Sequence, residues 1–233
     1  MTRVLAAARL QLAHPLVVLG VPWLVVTTSF LINLAIWGMA DVAEKSGNTT
    51  NTGGLASLYI TVIVVFSQAM TQMFPLAMGL SLSRRTYYLG TAAAALVQSL
   101  GFGLGLTVLE AVEDATNGWG VGLHFWAGGG LDVGNPLLQL VVFTLPMIAA
   151  CSIGLGIGVV FKRWGAAGIY GLSIGVLLTA GVLAILVTWR NAWGDLWAWL
   201  TDRSVESLTI TLPLVLAVAV AGLAYLGLRR TVP

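Results

Sequence analysis

Charge is what this sequence has least of: only 9% of its 233 residues are charged, against about a quarter in an ordinary soluble domain. A water-exposed surface with so few charges would not stay in solution. A lipid-exposed surface excludes them, because one charge near the bilayer centre costs about 2.5–3.5 kcal/mol on insertion scales. Cysteine is also nearly absent. The single Cys151 excludes an internal disulfide framework and a four-cysteine metal site. It lies inside an apolar stretch and reads as a packed thiol. The two histidines, His14 and His124, are far apart in the chain, so with one distant cysteine they form no metal-ligand cluster. A phosphate-binding loop ends in Gly-Lys-Ser/Thr, but Lys45 follows Glu44 and Lys162 precedes Arg163, and there is no third lysine. The net charge of +2 is too small to point to nucleic acid.

What the chain has instead is long apolar runs. Six of them, free of charge, cover Leu16–Ala40, Ala56–Leu82, Leu89–Leu109, Pro136–Phe161, Ala166–Trp189 and Leu208–Leu228. Each is long enough to cross about 30 Å of hydrocarbon as a helix, which takes roughly 20 residues. The expected fold is therefore an all-α membrane protein of six transmembrane helices. The first run ends in Gly38-Met39-Ala40, a small-x-small pattern, but it is longer than the 7–15 residues of a signal core and reads as a span.

The charges sort by side. Arg3, Arg9, Arg84, Arg85, Lys162, Arg163, Arg229 and Arg230 fall on one side of the six runs. The other side receives Lys45, Arg190, Arg203 and all nine acids: Asp41, Glu44, Glu110, Glu113, Asp114, Asp132, Asp195, Asp202 and Glu206. Basic flanks mark the cytoplasm, so both termini are expected there. Trp37, Trp119, Trp126, Trp189 and Trp193 gather near the outer boundary, and Tyr87, Tyr88, Trp164 and Tyr225 near the inner one, as amphipathic rings do at interfaces.

Two segments read as interfacial helices. In Thr2–His14, Val4, Leu5, Ala8 and Leu12 share a side away from Arg9 and Gln11, and Pro15 separates the segment from the first span. Before the sixth span, Trp193, Leu196, Trp197 and Leu200 recur at helical spacing while Asp195, Asp202 and Arg203 leave the stripe. Ser46–Gly54 is rich in Asn, Thr and Gly and reads as a flexible loop, with a weak glycosylation pattern at Asn48-Thr49-Thr50. Trp119–Asn135 is rich in glycine and contains no basic residue.

No Asp, Glu or His lies within a span; Glu110 stands at the outer end of the third. Ion-coupled transporters need such a group inside the membrane, so any uphill transport would draw energy from another chain. Gly171-Leu172-Ser173-Ile174-Gly175 spells G-x-S-x-G, yet no histidine lies in a span to activate Ser173, and the motif sits in a helical pattern rather than at a strand-to-helix turn. No catalytic or metal residue is assigned. The pairs Gly101/Gly105, Gly154/Gly158 and Gly171/Gly175 match the small-xxx-small pattern of close helix packing. Among the uncharged polar residues, Gln68 and Gln72 share a face of the second span with Ser57, Thr61, Ser67 and Thr71 in the same helix; Asn33, Gln98 and Gln139 lie in the first, third and fourth. Two readings stand for them: a cargo-facing seam, or hydrogen bonds between helices. Pro75 and Pro146 read either as hinges or as fixed bends.

The segment Phe74 to Thr91, which includes Gly79-Leu80-Ser81-Leu82-Ser83-Arg84-Arg85-Thr86-Tyr87-Tyr88-Leu89-Gly90, resembles the turn between the second and third helices of type-2 ABC exporter permeases in their small bacterial form. The layout of an N-terminal amphipathic elbow helix, six spans and an amphipathic outer segment is similar as well. The resemblance implies one transmembrane permease domain over residues 1–233, with an elbow at 1–14, in a bacterial cytoplasmic membrane. It implies a second permease subunit, identical or not, and a separate ABC ATPase that carries ATP and Mg; no cofactor is expected in this chain. Ser83, Arg84, Arg85, Thr86, Tyr87 and Tyr88 would form the ATPase-coupling turn. Asn33, Gln68 and Gln72 would line a pathway bordered by the first, second and fifth spans, for export of an amphipathic or lipidic substrate. The alternatives are a non-transporting membrane scaffold and an intramembrane serine protease.

Overall fold

The computed structural model describes residues 2–11, 14–40, 50–51, 53–128 and 131–229. Asp41, Glu44, Lys45, the Asn48-Thr49 part of the glycosylation pattern and Arg230 lie outside them, as does most of the Ser46–Gly54 loop. Helix dominates. A short helix α1 (Thr2–Gln11) precedes a π-helical turn at Leu16–Gly20 that continues as α2 (Val21–Ala40). Next comes α3 (Ala56–Gln68), which passes through a second π turn, Ala69–Met73, into α4 (Phe74–Gly79). Then follow α5 (Arg84–Ala115), α6 (Pro136–Trp189), α7 (Trp193–Asp202) and α8 (Val205–Leu228). Five stretches are long and apolar enough to cross a membrane: Leu16–Met39, Ala56–Gly79, Arg84–Ala115, Pro136–Trp189 and Ser207–Leu228. The chain is all-α, with the composition of a multi-pass membrane protein.

Local chemistry sets the helix starts. Ser83 caps α5 by accepting from the Thr86 N–H at 3.1 Å. Asn135 caps α6 by accepting from Leu137 N–H at 3.0 Å, with Pro136 in the first helical position, where no N–H is missed. Ser204 caps α8. The π turns sit beside prolines that remove backbone donors. Pro22 has no N–H to return to the Val18 carbonyl, and the Gln98 amide of α5 donates to it instead, at 3.1 Å. The second π turn immediately precedes the Phe74-Pro75 start of α4.

The two runs read from sequence as the fourth and fifth spans form the single helix α6, interrupted only at Gly165. Lys162, Arg163 and Trp164 stay in helical conformation, and the break falls on the residue that can take φ 63°, ψ −151°. The arms on either side differ sharply. Before the break, Gly154 and Gly158 let α3 approach: a Cβ on Gly154 would strike the Ile63 carbonyl and stand 2.8 Å from Phe66 Cβ, and one on Gly158 would stand 2.9 Å from the Ser67 carbonyl. The same arm packs on α8, where Ala217, Ala224 and Leu228 form a buried stripe. After the break nearly every side chain is exposed, including Leu177 at 71% and Ile185 at 68%, although the sequence is apolar all round.

The core lies among α3, the π turn after it, α5 and the first arm of α6, around Phe66, Met70, Phe74, Tyr87, Phe102, Leu106, Phe143 and Met147. α1 lies against the start of α5, where Gly90 faces Ala7 and the Val4 carbonyl. Its inward side is Ala7 and Gln11, while Leu5 is 61% exposed. Of the Val4–Leu5–Ala8–Leu12 stripe read from sequence, Leu12 lies outside the described residues, Val4 and Ala8 are half-buried, and Leu5 faces away from the protein. The seat at Gly90 admits only small side chains, and Gln11 finds the Tyr87 and Thr91 hydroxyls there.

Candidate functional site

Arg84, Arg85 and Arg229 converge at one end of the bundle. α4 gives way to a tight turn in which Ser81 has φ 58°, and Ser83 then starts α5. Of the six residues in this turn, Ser83 and Arg85 are exposed and Arg84 and Thr86 half-buried, whereas Tyr87 and Tyr88 are buried in the core. The tyrosines bind the turn to two other elements. Tyr87 donates to the Ala69 carbonyl at 2.9 Å, at the head of the π turn, and accepts from Gln11 of α1. Tyr88 donates to the Ala221 carbonyl of α8 at 2.6 Å and packs on the Tyr225 ring, with centroids 5.2 Å apart. Arg84 Nη1 donates to the Arg229 carbonyl at 3.0 Å. The turn is thus hydrogen-bonded to the π turn, to α1, and to Ala221 and Arg229 in and just after α8. The sequence offers the aromatic-basic pattern but not these partners, which lie up to 145 residues away.

The polar residues of the spans differ in their partners. Gln98 and Gln139 make structural hydrogen bonds: Gln98 to Val18, and Gln139 to both the Leu131 carbonyl and the Val133 N–H, at 3.1 Å each. Asn33 is half-buried and donates to Ser29 of its own helix at 2.8 Å. Gln68 and Gln72 are both exposed, and their amides have no hydrogen-bond partner among the described residues. Gln68 immediately precedes the π turn that receives the Tyr87 hydrogen bond, and Gln72 lies within it.

The glycine pairs also separate. Gly154 and Gly158 meet α3. Gly105 faces the Trp23 ring, while Gly101 has open space beside it. Gly171 and Gly175 have nothing within 4 Å. They lie on the bare arm of α6, as does Ser173, which is exposed, in unbroken helix, and hydrogen-bonded to no histidine among the described residues. The stripe of α7 is equally open, with Trp193, Leu196 and Trp197 about half to two-thirds exposed. An apolar groove of about 440 Å³ runs along the inner side of the Gly165 break, lined by Val160, Trp164, Gly168 and Gly171 among others.

The opposite end of the bundle is acidic. Glu113 is 1% exposed and accepts from the Phe125 N–H at 2.9 Å, the Trp126 N–H at 3.2 Å and the Trp119 indole at 3.2 Å. This carboxylate holds down the glycine-rich segment after α5, whose Trp119, Phe125 and Trp126 rings surround Phe30 of α2 at 5.0–5.4 Å. A short parallel pairing of Thr50–Asn51 with Leu123–His124 closes the same end. Glu110, Asp114 and Asp132 bring carboxylate oxygens within 4.8 Å of one another. A search of the sequence for histidine and cysteine pairs misses this group, whose members come together only when the loop folds back on α5.

No family model, curated protein or solved structure matches the chain.

Proposed function

We propose that this chain is the membrane-spanning permease subunit of an ATP-driven exporter, with six spans, an elbow helix formed by α1, and both termini in the cytoplasm. The break at Gly165 supports counting α6 as two spans, since each arm exceeds the roughly 20 residues a crossing takes. The segregation of Arg3, Arg9, Arg84, Arg85, Lys162, Arg163 and Arg229 to one end of the helices supports the orientation. No carboxylate or imidazole lies in the buried middle of the described bundle, which supports an energy source on another chain.

The observation that carries the reading is the Tyr87–Ala69 hydrogen bond. It links an exposed cationic turn, where an ATPase would press, to the π turn that follows Gln68 and contains Gln72. π turns in α-helices often mark functional positions. Movement of the turn would reach the Gln68–Gln72 face without passing through solvent. A second permease copy would cover the bare arm of α6, where Gly171 and Gly175 admit a close backbone, and the pathway would run between the two copies. The apolar interior favours an amphipathic or lipidic substrate over a naked ion.

The test is co-expression with candidate ABC ATPases, followed by ATP hydrolysis in reconstituted vesicles. The double variant Arg84→Glu/Arg85→Glu is expected to abolish permease-stimulated hydrolysis while remaining folded, with a cooperative melting transition. Hydrolysis at the wild-type rate in that variant would refute the coupling role, and transport by this chain without any ATPase would refute the whole reading.

A further inference from the structure

Between the first turn of α5 and the last turn of α8 lies a cavity of about 250 Å³, lined by Arg84, Arg85, Tyr225, Leu228 and Arg229. We infer that it is a binding site for the phosphate headgroup of an anionic phospholipid, with Arg84, Arg85 and Arg229 as the recognising groups.

Three observations carry this. First, the guanidinium groups are not neutralised by the protein: none makes an ion pair among the described residues, and the acids of the described bundle lie at its other end or in α7. Three like charges around one cavity repel one another, and an anion between them removes that repulsion. Guanidinium is also the side chain whose planar donors match two phosphate oxygens at once. Second, the cavity is already assembled. The Arg84–Arg229 hydrogen bond, the Tyr88–Ala221 hydrogen bond and the Tyr88–Tyr225 ring contact hold its two walls together. The N-terminus of the 32-residue helix α5 opens beside it and adds the positive end of its dipole. Third, the depth is that of lipid headgroups. Leu228 ends an apolar span and Arg84 begins another, so cationic groups sit directly above hydrocarbon-facing residues, with two tyrosines at the boundary. Leu228 offers the cavity an apolar floor. A soluble phosphate would use the arginines alone, whereas a phospholipid also places its glycerol and chains along the flanking helices, which is why the lipid is the occupant. This inference rests on the membrane character of the helices and not on the transport reading.

The test uses the full chain in mild detergent, titrated with equal amounts of phosphatidylglycerol and phosphatidylcholine and read by native mass spectrometry. The wild type is expected to retain phosphatidylglycerol selectively and to melt at a higher temperature with it. Arg229→Ala leaves the backbone carbonyl that Arg84 uses, so the fold stays intact; it is expected to weaken retention about fivefold, the effect of one arginine at a membrane surface. Arg84→Ala/Arg229→Ala is expected to remove selectivity. Lys162→Ala/Arg163→Ala, an equal loss of charge at residues that do not line the cavity, is expected to leave retention unchanged. Equal retention in Arg229→Ala and wild type would overturn the proposal, as would an equal loss in the Lys162/Arg163 variant. Stabilisation by inorganic phosphate matching that by the lipid would overturn the assignment to phospholipid.

Discussion

Gln11 donates to the hydroxyl of Tyr87 over 3.1 Å, and that hydroxyl donates onward to Ala69 over 2.9 Å. Three separate helical segments therefore meet at one oxygen atom. Tyr87→Phe removes that atom and keeps the ring that packs edge-on to Phe74. The expected loss is about 1–2 kcal/mol of stability, the range for a buried hydrogen bond whose partners are left incompletely satisfied, measured as a lower unfolding midpoint in detergent. If the turn transmits force to the π segment, this variant also separates ATP hydrolysis from transport more than its stability loss explains.

Glu113→Ala is expected to free the segment between α5 and α6. Two buried backbone N–H groups, those of Phe125 and Trp126, lose their acceptor, at about 1–3 kcal/mol each. Faster amide exchange over residues 118–126, together with a red-shifted tryptophan emission, would show it. Unchanged exchange would mean that the aromatic packing on Phe30 suffices to hold the segment.

Substitution at the two kinds of glycine is expected to give opposite outcomes. Gly154→Val and Gly158→Val drive a side chain into α3, and overpacking of this kind costs about 1–3 kcal/mol or more. Gly171→Val and Gly175→Val meet open space and are expected to leave the melting point of the monomer unchanged while weakening self-association measured by cross-linking. If self-association is equally strong in the second pair, the bare arm is not where copies meet.

Gln68→Leu/Gln72→Leu is expected to fold normally, because neither amide bonds to the protein. In a transport assay it is expected to alter substrate affinity or rate. A wild-type transport profile would assign these residues to the lipid-facing surface.

The sequence made the long helices legible because their signal is local: an apolar run has the same meaning wherever it lies. It also marked the turn at Ser83, since the serine and the paired arginines that end an apolar run are adjacent in the chain. Contacts between distant residues left no such trace. Glu113 looks like a surface acid near a helix end, yet its partners lie 12 and 13 residues further on in irregular backbone. Arg84 and Arg229 share a cavity although 145 residues separate them. Tyr87 and Tyr88 fit an interfacial belt by position, while their hydroxyls are bonded inside the protein. Which amides and glycines touch another helix shows only in the packing, because periodicity fixes a helical face and not what covers it.

The bare arm after Gly165 has a physical consequence of its own. Among the described residues almost nothing packs along its length, so in a copy without a partner its angle to the membrane normal would be set by the lipid. A segment of about 36 Å in hydrocarbon about 30 Å thick would then lean until the lengths agree. Thinner bilayers would lay it over further and thicker ones would bring it upright, pivoting at the one residue where the helical hydrogen-bond ladder is broken.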